Sequence, residues 1–173
     1  MTNTFFLPSS RWYEYGDWLK NLDQETLTSY FGLVTKNLVI DSLIDKMILS
    51  KEHHYLLIAA KDGQWVGITH IAINNKDVEF GLIVTPNHRQ RGIASLMLDE
   101  CINWARNRNF DFLFMHCVNQ NIAIKQLCEK YQLIPKNMMG DAEVKFKLPP
   151  PNIQTFIKEA LFRQMKFYHL ITN

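Results

Sequence analysis

The feature that most constrains this chain is an abrupt change of hydrophobic period near residue 55. From there to Val84, apolar residues come in strand-length runs separated by turn chemistry, and at about Gln90 the spacing becomes helical. Tyr55-Leu-Leu-Ile-Ala-Ala60 reads as a buried strand closed by Asp62-Gly63, a hairpin dipeptide. Trp65 to Ile73 is its partner, and Asn74-Asn75-Lys76-Asp77 turns into Val78-Glu-Phe-Gly-Leu-Ile-Val84. Three consecutive strands joined this way form an antiparallel meander. The third runs through Thr85-Pro86 into a helix over roughly Gln90 to Arg108, with Ile93, Leu96, Met97, Cys101 and Trp104 on one face. A strand over Asp111–Val118, a helix over about Asn121–Tyr131 and a last strand over Ala142–Leu148 follow. Strand–helix–strand around the long helix implies a right-handed crossover and parallel pairing there. The expected fold is therefore α/β of the α+β type, with a mixed, mostly antiparallel central sheet and helices on both faces.

The flanks read differently. The first fifty residues read as helix and loop: one helix from Asp17 to Tyr30 carrying Trp18, Leu22 and Leu27, then a short one capped by Asp41 with Leu43, Ile44, Met47 and Ile48 on a stripe. After Pro149-Pro150-Pro151, Asn152 is placed to cap a helix to about Tyr168, with Phe156, Ile157, Ala160, Leu161 and Met165 on one face. A helix this apolar must be covered, by its own domain as a lid or by a second copy as a homodimer. The chain thus divides into a domain over 1–148 and a proline-led amphipathic helix over 149–173.

At 173 residues and 47% apolar composition the chain suffices for one domain with a sizeable core. Lys plus Arg exceed Asp plus Glu by 19 to 17, a balance that argues against a nucleic-acid partner. Cys101, Cys117 and Cys128 form no CxxC pair, as expected for reduced thiols in a cytoplasmic protein. The amino terminus lacks a basic region ahead of an apolar run, and no stretch of about 18 apolar residues occurs, so neither secretion nor a membrane is expected.

The chemistry concentrates between Glu79 and Ala94, where a strand and a short loop lead into Arg89-Gln-Arg-Gly-Ile-Ala94 at a helix start. Such a start presents unbonded amides and partial positive charge, Gly92 admits close approach, and Arg89 and Arg91 add full charges. Together they suit a diphosphate. The same residues also read as a solvated, glycine-started helix. The P-loop spacing and the three-glycine dinucleotide fingerprint are both absent.

Val84-Thr85-Pro86 followed by Arg89-x-x-Gly92-x-Ala94 resembles the acetyl-CoA-binding motif of the GNAT N-acetyltransferase superfamily, Arg/Gln-x-x-Gly-x-Gly/Ala after a strand ending Val-x-Pro. A second block, Asn121-Ile-Ala-Ile-Lys-Gln-Leu-Cys-Glu-Lys-Tyr-Gln-Leu133, is similar to the family's Asn-x-x-Ala-x-x-Leu-Tyr-x-x-x-Gly-Phe. The resemblance spans about 55–148. It implies a strand ending at Val84 that splays from its parallel neighbour, leaving a V-shaped gap for acetyl-CoA. Backbone at Leu82, Ile83 and Val84 would pair with the pantetheine arm. Amides of Arg89, Gln90, Arg91, Gly92, Ile93, Ala94 and Ser95 would hold the pyrophosphate, and Asn121 would add a contact. An acceptor amine, on a small molecule or a protein, would attack the thioester directly, with a strand N–H stabilising the oxyanion.

The resemblance places a general base at Glu79, a position that also reads as a plain wet carboxylate. The family's acid tyrosine corresponds to Cys128, a departure that opens Tyr131, one turn on, as a substitute; either thiol or phenol also reads as core. His116, on the strand beside the gap, and His70, in the meander, are further bases or packed residues, and His88 abuts the loop. His53-His54 lack ligand-spaced partners, so no metal is expected. Trp12, Tyr13, Tyr15, Trp18, Tyr30 and Phe31, with Glu14, Asp17 and Asp23, would wall the acceptor pocket or fill the core. The leading reading is an acetyl-CoA-dependent N-acetyltransferase; the alternative is a non-catalytic acyl-CoA-binding or regulatory module. Whether the acyl group is acetyl or longer stays open.

Overall fold

The computed structural model describes residues 2–118, 129, 135–138 and 141–171. Their strands are β1 (Thr2–Phe6), β2 (His54–Lys61), β3 (Gln64–Asn74), β4 (Asp77–Val84), β5 (Phe112–Val118), β6 (Pro135–Met138) and β7 (Asp141–Lys147). Among the described residues they form one sheet in the order β1-β2-β3-β4-β5-β7-β6. The helices are α1 (Trp12–Lys20), α2 (Gln24–Phe31), α3 (Asn37–Leu49), α4 (Ile93–Arg106) and α5 (Ile153–Ile171). Among the described residues, β4 and β5 are the one parallel pair and the other pairings are antiparallel. The expected mixed sheet with helices on both faces is what forms.

The meander follows from its turns. Asp62 and Gly63 both take positive φ, 52° and 78°, which a two-residue hairpin requires. Strand alternation then sorts the meander's side chains into two cores. Leu57, Ala59, Ile71, Val78 and Phe80 meet Met97, Leu98 and Trp104 of α4. Leu56, Ile58, Ile68 and Ile83 meet Trp12, Tyr15 and Leu19 of α1, Leu27 of α2 and Ile40 and Ile44 of α3.

Several local expectations are corrected. The amino-terminal stretch contributes β1, an edge strand whose Thr2–Phe6 pairs with Lys61–Leu57. The expected single helix from Asp17 to Tyr30 is two helices. Asn21 and Leu22 bond back to Trp18 and Leu19, closing α1, and Asp23 caps α2 by accepting from the Thr26 amide at 2.8 Å and its hydroxyl at 2.7 Å. Those bonds hold the Asp23 carboxyl below its ordinary pKa. Asp41 is not a cap: α3 starts at Asn37, and the Asp41 carboxylate lies 2.5 Å from Lys20 Nζ, tying α3 to α1.

Asn152 does cap α5, accepting from the Thr155 amide at 3.0 Å while its own amide donates to Thr155 Oγ1 at 3.1 Å. Over residues 153–162, α5 meets α4 through a polar edge. Thr155 Oγ1 donates to Asn107 Oδ1, Asn107 Nδ2 donates to Glu159 Oε2 at 2.6 Å, and Arg108 pairs with Glu159 at 3.1 Å. These bonds satisfy polar groups at the C-terminus of α4. They leave Phe156, Ile157 and Leu161 52–55% exposed.

Candidate active site

The site is built around β4, whose two edges are treated unequally. Along the β3 edge all eight residues are in register, from Asp77 opposite Asn74 to Val84 opposite Gly67. Along the β5 edge only Asp77, Val78 and Glu79 pair, with Phe112, Leu113 and Phe114. Beyond Phe114, β5 stays with β7 up to Val118 opposite Asp141. The two parallel strands therefore part company after Glu79. Among the described residues, no strand pairs with the edge of β4 over Phe80–Val84, including Leu82, Ile83 and Val84.

That edge leads directly into the loop. Thr85 donates its amide to Val66 O at 2.9 Å, and its hydroxyl meets His88 Nδ1 at 3.0 Å. Arg89 turns back: Nε donates to Val84 O at 3.1 Å and Nη2 to Thr26 Oγ1 at 2.7 Å. Its guanidinium thus fastens the loop to β4 and α2. The Arg91 side chain is exposed. Gln90 and Gly92 both take left-handed conformations, φ 58° and 79°. Gly92 is the N-cap of α4 and no side chain caps that helix. A Cβ on Gly92 would meet no described atom within 4 Å. Ile93 is buried, anchoring the first turn, while Ala94 and Ser95 are half-buried. The sequence-designated residues of the loop are therefore contiguous with that edge of β4.

On the α1–α3 face of β4 lie Glu79, Gly81 and Ile83. Glu79 is exposed, opposite Ala72 on one side and Phe114 on the other. Gly81 is covered by Tyr30 of α2: a Cβ there would come within 3.0 Å of Tyr30 Cε2 and Cζ, and nearer still to the hydroxyl. Burial first, and the Glu79 charge with it, pushes the Tyr30 phenol up to about 12, so it is a proton donor throughout the neutral range. Burial likewise raises the Tyr15 phenol. Directly across from Gly81 on β3 is His70, whose Nε2 lies 3.0 Å from His54 Nδ1 on β2. Trp12 stands edge-on to His54, ring centres 6.5 Å apart.

Other designated residues fall elsewhere. Asn121, Cys128 and Tyr131 lie outside the described residues, and His116 is placed on β5 by its backbone alone. Cys101 is a free, buried thiol in the α4 core. Among the described residues, no group of three or more His, Cys, Asp or Glu side chains could hold a metal ion, and no helix is long and apolar enough to cross a membrane. Sequence reasoning missed Thr26 and the pairing of His54 with His70. Thr26 carried no local signal, and the histidines were visible only as two isolated residues on different strands.

With this geometry in hand, the chain can be placed among known proteins. A family model described as the Acetyltransferase (GNAT) family matches residues 14–132. No curated protein sequence matches significantly. Among solved structures, the spermidine N-acetyltransferase of Vibrio cholerae, in complex with CoA and spermine, is similar at TM-score 0.67 and 13% identity, covering 85% of this chain and 95% of that one. A PaiA N-acetyltransferase of Thermoplasma acidophilum, in complex with coenzyme A, gives 0.65 and 14%, covering 85% and 99%. A ribosomal-protein-alanine N-acetyltransferase of Brucella melitensis gives 0.62 and 17%, covering 84% and 99%.

Proposed function

We propose that this chain, which belongs to the acetyltransferase (GNAT) family, transfers an acetyl group from acetyl-CoA to a primary amine by direct attack. The observation that carries the reading is the edge of β4 over Phe80–Val84, which among the described residues has no β5 partner and is continuous with the backbone at Gly92, where no described atom would meet a Cβ. An extended amide-bearing arm supplies the hydrogen bonds a missing strand would, and a diphosphate suits the uncapped start of α4. The chemistry of the residues present fits such a co-substrate: Arg89 is engaged with Val84 and Thr26, and the phosphate falls to backbone amides and Arg91.

The chain's own part in the reaction is then positional and electrostatic. An N–H of the β4 edge faces the thioester carbonyl and stabilises charge as it develops there. Glu79, exposed on the acceptor face, takes the proton that an alkylammonium must lose, directly or through water. Cys128 and Tyr131 are the two proposed donors to the leaving thiolate, and Asn121 a further contact to the co-substrate.

The test is thermal unfolding with and without acetyl-CoA, followed by release of free CoA in the presence of amines. At about 100 times Kd the co-substrate adds about 2.7 kcal/mol of stability, and an Arg91→Glu/Gly92→Glu variant loses the gain. Absence of a shift in the wild type removes the co-substrate from the reading. A shift without CoA release for any amine favours a binding module over an enzyme. Comparing kcat of Cys128→Ala and Tyr131→Phe decides between the two donors, and undiminished turnover in both dismisses them.

A further inference from the structure

The acceptor face of the sheet carries two histidines that the acetyl-transfer reading leaves unused. His70 lies on β3 directly opposite Gly81, the residue at which β4 loses its β5 partner. Because Gly81 has no side chain, the space above it is taken by the Tyr30 ring and hydroxyl, and His70 is its cross-strand neighbour on the same face. His54 sits diagonally behind on β2, since Leu56 pairs with His70 and His54 with Ala72. The two rings are 5.1 Å apart at 32°, with His54 Nδ1 and His70 Nε2 separated by 3.0 Å. That distance is a hydrogen bond, so one of the two nitrogens carries a proton and the other does not. Behind His54 the chain reaches solvent at His53 and Glu52, both exposed and 3.6 Å apart.

We propose that the His70–His54 pair is a proton exit path leading from the acceptor side of β4 to solvent at the His53–Glu52 turn. It rests on the acetyl transfer proposed above, because an alkylammonium acceptor must shed one proton before its nitrogen can bond to the thioester carbon. That proton, taken from the ammonium by Glu79 directly or through water, is handed on to His70 Nδ1; the Nε2 proton of His70 crosses to His54 Nδ1; and the Nε2 proton of His54 passes to water. One proton enters, one leaves, and both rings end neutral in the opposite tautomer. Exchange with water restores them after product departs. The C–N bond forms and the C–S bond breaks without either ring taking part, so His70 and His54 are positioning residues for the proton.

The surroundings suit a carrier that does not trap charge. Burial, with His54 adding, pushes His70 down to about 4, and burial lowers His54 as well. Around the pair on this face stand Tyr15 of α1, Tyr30 of α2 and Glu79 of β4, with Asp77 further along β4, Lys145 of β7 over the Phe112 and Phe114 rings, and Glu52 and His53 at the outlet. Both phenols are raised by burial and stay protonated.

The experiment compares two acceptors: a strongly basic alkylamine and a weakly basic amine such as an aniline, already unprotonated at pH 7. In His70→Asn and in His54→Gln, kcat for the alkylamine is expected to fall about 10²-fold. For the aniline it should stay within about twofold, KM for acetyl-CoA should not move, and the alkylamine loss should fade as pH rises. Equal losses with both acceptors assign the pair a structural role and overturn the path; so does no loss with either. If the wild type turns over neither amine, the acetyl-transfer reading itself has failed and the path falls with it, an outcome told apart because no variant is needed to see it. Imidazole 15N shifts of the wild type give a check independent of folding in the variants. A proton shared between the two rings is expected at pH 7, and two rings that titrate independently overturn the path.

Discussion

The two faces of the meander come from the same strands, one residue apart, yet they hold different matter. The face under α4 is mainly apolar, from Leu57 through Ile71 to Phe80 and closed by Met97 and Trp104, with Thr69 and Glu100 as its buried polar residues. The face under α1–α3 mixes Leu56, Ile58, Ile68 and Ile83 with His54, His70, Glu79 and a glycine capped by a phenol. Alternation makes this possible: a strand can stabilise with one set of alternate positions and do chemistry with the other. Damage to the first face should therefore cost stability irrespective of pH, whereas damage to the second should be felt as changes in pH dependence, ligand affinity or turnover.

The largest effect is expected on the apolar face. Phe80→Ala removes a ring that is 1% exposed, at a cost of about 3–5 kcal/mol. Denaturant unfolding at pH 5, 6 and 7 should give the same loss each time; a loss that varied with pH would erase the contrast between faces. On the other face, the folded chain refuses a proton at His70 that the unfolded chain accepts. His70 falls from its ordinary 6.5 to about 4 on folding, so stability should drop as pH is lowered through that window, by up to about 3 kcal/mol. His70→Asn should flatten that part of the pH–stability curve, and an unchanged slope would show that the titration belongs elsewhere.

Gly81→Ala comes next. The added methyl presses on a half-buried phenol held in α2, with an expected cost of about 1–3 kcal/mol. Combining it with Tyr30→Ala should recover part of that cost, a coupling that a double-mutant cycle measures. Strict additivity would mean that the two residues do not share the space above β4. The smallest effect is expected from Thr26→Val, which removes the hydroxyl that Arg89 reaches across from the loop. A charged donor losing one partner is worth about 1.5 kcal/mol, or roughly tenfold in the Kd for acetyl-CoA by calorimetry. Unaltered affinity would show that the loop keeps its shape without α2.

What was legible in the sequence were features encoded within a few neighbouring residues. The meander, the Asp62-Gly63 hairpin, the strand–loop–helix from Glu79 to Ala94 and the Asn152 cap each depend on local spacing or on one turn dipeptide. What stayed hidden depends on distant partners. Asp41 has the chemistry of a cap, but its carboxylate goes to Lys20, and nothing near Asp41 says so. β1 is five residues long and exists because β2 offers it an edge. Arg89 is a phosphate ligand by motif, yet Thr26, a residue of another helix, claims its guanidinium. α5 carries an apolar stripe by periodicity, but over residues 153–162 the polar end of α4 engages its Thr155–Glu159 edge. In the same way Tyr30 over Gly81, and His54 beside His70, are meetings of residues that no local pattern brings together.

The edge-on contact between Trp12 and His54 has an optical consequence. Indole emission is quenched by an adjacent imidazolium and much less by neutral imidazole, and Trp12 is fixed in place, buried and donating from Nε1 to Leu7 O at 3.3 Å. The protonation state of the outer histidine is therefore written into the fluorescence of a neighbouring residue. Trp104, packed on the opposite face between Phe110 and the Arg108 guanidinium, has no histidine against its ring among the described contacts. Trp12 is the one of the chain's four tryptophans with a described ring contact to a histidine, so the part of the indole emission that changes as His54 titrates belongs to it.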